Sequence, residues 1–191
     1  MAEEPEMDFE EEMEAEPWPD DAMEKLRVGQ EECARKDIER LMGAESEEKE
    51  FYELPRASLA YLTLNQPSLA AEAANRALQL SSSYIGNWNY GNAIHSCNVV
   101  LGLLALDAGD RESAISYLRA AGATPGSPQL ASFGPNMQLA KRLLLLGEFE
   151  EVASYFAQCQ HFWKHGGNWL RIWNRKIAAK EVPHFLMHLY V

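Results

Sequence analysis

Two histidine pairs have a spacing that chemistry can use. His161 with His165, and His184 with His188, are each four residues apart. On a helix, both imidazoles of such a pair share one face and can hold a common metal ion. A metal site needs a third ligand, and no HExxH accompanies either pair. Gly166-Gly167 puts the first pair at a fraying helix end. Both pairs therefore read as surface or capping histidines, and neither metal nor cofactor is expected. His95 and Cys97 stand two apart on a helical stretch and point away from each other, so they form no dyad. The GxGxxG, GxxxxGK(S/T) and GxSxG patterns are all absent. Nothing in the chain supports catalysis, and an enzyme is not expected.

Polar and aromatic side chains are concentrated in Tyr84 to His95, YIGNWNYGNAIH. Asn87, Trp88, Asn89, Tyr90, Asn92 and His95 lie within it, and Asn98 follows one turn later. Asparagine is costly inside a helix and favours caps and turns. One reading is a connector whose amides cap helix ends and satisfy buried backbone groups. The other is a recognition surface, with Asn92, His95 and Asn98 drifting around one side of a helix. Trp88, Asn89, Tyr90, Asn92, His95 and Asn98, joined by Asn136 and Lys141 from further along, form the candidate partner-binding set.

The elements that would position these residues are helical. Asn98 to Ala121, NVVLGLLALDAGDRESAISYLRA, reads as two helices packed across a tight turn. Ile94 to Leu106 is apolar at nearly every position, which suits a helix buried on several sides. Ala108-Gly109 stops it, and Asp110 can cap the next helix through its carboxylate. Gly102 lets the partner helix come close. Leu139, Ala140, Leu143, Val152, Phe156 and Cys159 repeat Leu101, Gly102, Ala105, Ala114, Leu118 and Ala121 at a shift of 38 residues, and Gly147-Glu148 repeats the Gly109-Asp110 turn at the same shift. A weaker copy runs from Leu54 to Leu64 and from Pro67 to Leu80. In that copy Pro55 is expected in a first helical turn, and Pro67 at the first position of the second helix.

This spacing resembles the tetratricopeptide (TPR) family over about residues 54 to 162, as three helix pairs. The stretches NWNYGNAIH and SPQLASFGPNM are similar to those of uncharacterised bacterial TPR-containing proteins. The resemblance implies an all-α, right-handed solenoid of helical hairpins, a scaffold whose first helices line a short concave groove that binds a peptide segment. Carried over by position, groove-lining residues would be Ser96, Val99, Leu103 and Asp107, then Met137, Lys141 and Leu144. These lack the cluster of basic and amide side chains that would clamp a peptide carboxylate. The alternative function is a small-molecule or metal-binding pocket between repeats, where His95, Asn98 and Asn136 would converge.

The flanks complete a single domain over 20–191. A helix over 20–43 precedes the repeats, with Asp20 or Asp21 as its cap. Asn168 to Lys180 resembles the extra helix that closes a repeat stack. The apolar tail His184 to Val191 would pack on the last hairpin or support self-assembly. The net charge of −12 is confined to one end: residues 1–24 hold twelve acids and no Lys or Arg, leaving seventeen acids against seventeen bases. A near-neutral body argues against nucleic acid as a partner. Residues 1–19, acidic and carrying three prolines, are expected to be disordered, available to a basic partner. The cysteines, Cys33, Cys97 and Cys159, have no CxxC or framework spacing, which fits reduced thiols in the cytoplasm. Neither a signal peptide nor a run of transmembrane length is visible, so no membrane is expected.

Overall fold

The computed structural model describes residues 9–15 and 17–189. Among them every regular element is helical. The helices are α1 (Phe9–Ala15), α2 (Asp20–Met42), α3 (Glu47–Thr63), α4 (Pro67–Ser81), α5 (Tyr90–Asp107), α6 (Arg111–Gly122), α7 (Pro128–Phe133), α8 (Gln138–Leu145), α9 (Phe149–Phe162) and α10 (Gly167–Ala178), followed by a 3-10 turn at Leu186–Leu189. No helix among the described residues is long and apolar enough to cross a membrane.

Helix α5 is the organising element. It is apolar around most of its circumference, and it packs against α3 and α4 on one side and against α6, α7 and α8 on the other. Two apolar clusters meet on it. One joins Phe51, Leu54, Ala74 and Ala77 of α3 and α4 to Ala93, Cys97 and Val100. The larger joins Val99 and Leu103 to Leu118, Leu143, Phe156 and Trp173. Each large side chain buried this way contributes roughly 1.5–3 kcal/mol. At the crossing Gly102 is a space requirement: a Cβ there would stand 2.3 Å from Leu139 Cδ2 and 3.2 Å from Tyr117 Cβ.

The turns follow from local chemistry. Gly109 and Gly147 both adopt left-handed backbone, at φ +79° and +89°. The Asp110 carboxylate caps α6 by accepting from Ser113 N at 3.0 Å. Glu148 makes no such cap on α9; it pairs instead with Arg111. Neither Asp20 nor Asp21 caps α2; Pro19 holds the N-cap position, with no side-chain cap.

Three expectations are corrected. Helix α3 starts at Glu47, capped by Ser46 Oγ accepting from Lys49 N at 3.2 Å, so Pro55 lies in the helix interior rather than its first turn. The acidic tail is not disordered throughout: residues 9–15 are helical and packed on α10, with Glu14 only 1% exposed. The rest of that expectation falls on residues 1–8 and 16, outside the described residues. The stretch HFLMHLYV is described to Leu189. Within that limit Phe185, Leu186 and His188 are buried while Met187 is exposed, and His184 and His188 occupy no common α-helix.

Candidate functional site

An interior proline removes one rung of the α-helical ladder. Pro55 has no N–H to give to the carbonyl four residues earlier, Phe51 O, and its ring crowds that turn. The orphaned carbonyl is buried. Asn89 repairs the defect: its Nδ2 donates to Phe51 O at 3.3 Å and to Tyr52 O at 3.4 Å. This is why an asparagine at the mouth of α5 is buried. Replacing Asn89 by alanine is expected to cost about 1–3 kcal/mol through the unsatisfied Phe51 carbonyl. In a Pro55→Ala background, residue 55 regains its N–H and the cost should fall by about 1 kcal/mol. A double-mutant cycle by urea unfolding reads this coupling. Equal costs in both backgrounds would show that the amide repairs nothing.

From Asn89 a polar seam runs through the molecule. Asn92 Nδ2 donates to Asn89 Oδ1 at 2.9 Å and to Gln129 Oε1 at 3.2 Å. Asn92 Oδ1 accepts from Ser127 Oγ at 2.5 Å, and Ser127 in turn caps α7 by accepting from Leu130 N. Below it, Thr124 Oγ1 donates to Gly91 O at 2.8 Å. His95 is 1% exposed. Its Nδ1 faces Ala121 O at 3.3 Å and its Nε2 accepts from Asn136 N at 3.1 Å. A carbonyl opposite Nδ1 and an N–H opposite Nε2 fix the tautomer with the proton on Nδ1. Burial pushes the imidazole's pKa down to about 4, so the ring is neutral.

Over this seam lies a cleft of about 390 Å³. Gln30, Cys33 and Asp37 of α2 and Tyr52, Arg56 and Leu59 of α3 form one wall; Asn89, Asn92, His95 and Ser96 form the floor; Gln129, Leu130, Phe133 and Asn136 close the far side. Phe133 is 66% exposed. Among the described residues nine arginines pair with a carboxylate and Arg56 does not. Asp37 faces Arg40 at 2.6 Å, so Arg56 is the uncompensated charge of the cleft.

Of the candidate residues, Asn89, Asn92, His95 and Asn136 come together here. The others are placed elsewhere. Trp88 stacks on the outer face of Tyr52 with ring centres 5.5 Å apart, half exposed, and does not line the cleft. Tyr90 is partly buried away from it. Asn98 folds back on its own turn, Nδ2 to Ile94 O at 2.7 Å, so it does not converge with His95 and Asn136. Lys141 turns to the C-terminal tail and donates to His184 O at 3.2 Å. Of the residues carried over as groove-lining, Ser96 lines the cleft, whereas Val99, Leu103, Met137 and Leu144 are core. They are core because the faces assigned to a groove are covered by α6, α8 and α9.

Sequence reasoning did not reach the α2, α3 and α7 walls. One signal was available: Ser46 followed by Glu47, Glu48 and Glu50 is a capped, acidic helix start, which puts Pro55 in the helix interior and leaves a carbonyl that needs a side-chain donor. No group of three or more His, Cys, Asp or Glu among the described residues is placed to hold a metal ion. Comparison with protein-family models, with curated proteins and with solved structures finds no match to this chain.

Proposed function

We propose that this chain is a TPR-like, right-handed stack of helical hairpins that acts as a protein–protein interaction module, holding a segment of a partner protein in the cleft between α2–α3 and α5–α7. The observation that carries this reading is the cleft itself: an apolar rim of Phe133 and Leu59 above an amide floor whose hydrogen bonds already hold it rigid. A preorganised floor costs little ordering entropy on binding. Affinity would come from burying apolar partner side chains against Phe133, Leu59 and Leu130. Register would come from Gln129, Ser96 and the uncompensated Arg56, which favours an acidic side chain in the segment. The three stacked pairs α3–α4, α5–α6 and α8–α9, the paired left-handed turns at Gly109 and Gly147 and the 38-residue shift support the solenoid part of the reading.

Cys33 gives a direct test. It is exposed and lines the cleft, while Cys97 and Cys159 are buried. Burial pushes the Cys97 thiol up to about 12 and raises Cys159 as well, so at neutral pH a thiol reagent reads Cys33. Peptides selected from a displayed library against the full chain should slow Cys33 labelling at least tenfold at saturation. Their affinity should fall about tenfold in Phe133→Ser and in Arg56→Ala, both exposed positions whose change leaves the fold intact. Selected peptides that bind both variants normally and leave Cys33 labelling unchanged would remove the cleft as the site.

A further inference from the structure

The acidic arm ends in a built receptor. Glu14 is 1% exposed, and its carboxylate is surrounded by directed donors. Oε1 accepts from Trp173 Nε1 at 3.0 Å and from Phe185 N at 2.7 Å. Oε2 accepts from His184 N at 2.8 Å and from Lys176 Nζ at 3.3 Å, and the same ammonium donates to Glu14 O at 2.6 Å. One turn earlier Glu11 Oε1 receives Arg171 at 3.3 Å and Arg175 at 3.2 Å. Beside these two backbone amides the chain bends through left-handed backbone at Phe185 and Leu186, φ +61° and +34°, a conformation that non-glycine residues adopt only where the surroundings impose it. The donors belong to α10 and the tail, elements about 160 residues away from α1 in the chain.

The element that fills this cradle is short. Helix α1 has seven residues, fewer than an isolated helix needs to persist in water. It packs chiefly on α10, and Phe9 is 61% exposed. Met13 packs against the apolar cluster, and the charged attachments among the described residues come from two carboxylates three residues apart, Glu11 and Glu14. A deep, charge-assisted, bidentate carboxylate site occupied by a short tethered helix has the form of a receptor with its own competitor attached.

We propose that the cradle of Trp173, Lys176, Arg171, Arg175 and the amides of His184 and Phe185 is a binding site for an acidic helix of another polypeptide, one presenting carboxylates at positions i and i+3, and that α1 is its exchangeable resident. The incoming helix replaces Glu11 and Glu14 and releases the arm. No bond is made or broken, and the donor set is the same for either occupant. This surface shares no residue with the cleft, so it stands or falls separately from the peptide-binding reading.

Two measurements on the full chain test this. In native-state hydrogen exchange, the Trp173 indole N–H and the amides of His184 and Phe185 should exchange at least about 100-fold faster than core amides of α5 and α9, because opening the arm does not require unfolding. Exchange of these groups only at the core rate would overturn the proposal, since the arm would then be a permanent part of the fold. In the second measurement, a fluorescein-labelled peptide of residues 1–16 is added to wild type and to the Glu11→Ala/Glu14→Ala variant. Tethering gives the resident arm an effective concentration on the order of millimolar, so the variant should bind the peptide at least tenfold more tightly than wild type. Adding Lys176→Ala should abolish that gain, and a peptide with glutamine at every glutamate should not bind. Equal affinity of wild type and variant, or equal binding of the glutamine peptide, would overturn it. Should the double variant not fold, the exchange rates decide on wild type alone.

Discussion

Lowering the pH from 7 to 4 is expected to remove most of this protein's stability, and His95 and His188 to account for the largest share. Both imidazoles are buried and held to a pKa of about 4, against an ordinary value of 6.5. At His95 burial is the cause and the Ala121 carbonyl partly opposes it. At His188 burial is again the cause, with the Glu14 carboxylate partly opposing it. The His188 ring lies among Trp163, Trp169 and Trp173 with centres 4.9, 5.1 and 5.2 Å away.

The sign follows from which state takes the proton. The unfolded chain protonates both rings below pH 6.5; the folded chain does so only near 4. Stability is therefore complete above about 6.5 and is lost as the pH falls toward 4. Each depression corresponds to about 3 kcal/mol, and the two together to about 6, comparable with the whole stability of an ordinary domain. For His95 the loss has a structural correlate. A proton on Nε2 would face the Asn136 N–H, turning an accepted hydrogen bond into a clash of donors. The lowered carboxylates Asp110, Glu24 and Glu32 contribute stability that is present above about pH 4.5 and starts to be lost only below it, because their ordinary values are 3.8, 4.5 and 4.5. Urea midpoints measured from pH 7.5 to 4 would trace the curve. His95→Gln keeps a donor for Ala121 O and an acceptor for Asn136 N but cannot titrate, and should flatten the slope by about half; adding His188→Phe should flatten most of the rest. An unchanged slope in the double variant would refute the assignment.

Gly91→Ala is expected to be the most damaging single methyl group in the chain. A Cβ at Gly91 would stand 1.8 Å from Gly126 O and 2.4 Å from Gly126 C, both backbone atoms. Neither side can yield cheaply. Gly126 is itself left-handed, at φ +87°, and backed by the Phe162 side chain, 2.7 Å from where its own Cβ would be. Its N–H is fixed to Thr124 Oγ1 at 3.2 Å, and Thr124 donates to Gly91 O. Alanine normally favours a helix over glycine by about 1 kcal/mol, so the clash must first exceed that gain. We expect a net loss of about 3 kcal/mol or more, as for severe overpacking against an immobile neighbour. Gly29→Ala is the matched control: nothing lies within 4 Å of its Cβ in α2, and it should stabilise by about 0.5–1 kcal/mol. If Gly91→Ala unfolds at the wild-type urea concentration, the close approach of α5 to the α6–α7 connection is wrong.

The two regions differ in how far the sequence could be read. The central hairpin was legible because its signals are local. Gly109-Asp110 stops one helix and caps the next whatever surrounds it, and the apolar run before it demands burial on several sides. The same holds for Pro67 opening α4 and for Gly102 at a crossing. Pro55 shows the opposite case. A proline is locally a helix starter, and only a donor from a residue 34 positions later, Asn89, lets α3 run through it. The asparagine-rich stretch was found from its composition, but what each amide does was not, since that depends on which carbonyls other helices leave unpaired.

By itself, then, the sequence determined that this chain is all-helical, where its main hairpins turn, that its charge asymmetry lies at the N-terminal end and that its polar residues gather at the start of α5. Each of these depends on neighbours within a turn or two. The tertiary structure alone decided that Asn98 and Lys141 leave the cluster while Arg56, Gln129 and Phe133 join it, that an interior proline is tolerated, and that Glu14, one of twelve acids in a run that reads as solvated, is buried against Trp173. Composition cannot separate Glu14 from Glu10 or Glu12. The difference is the donor set of α10 and the tail, about 160 residues away in the chain, and a long-range pairing of that kind leaves no local trace.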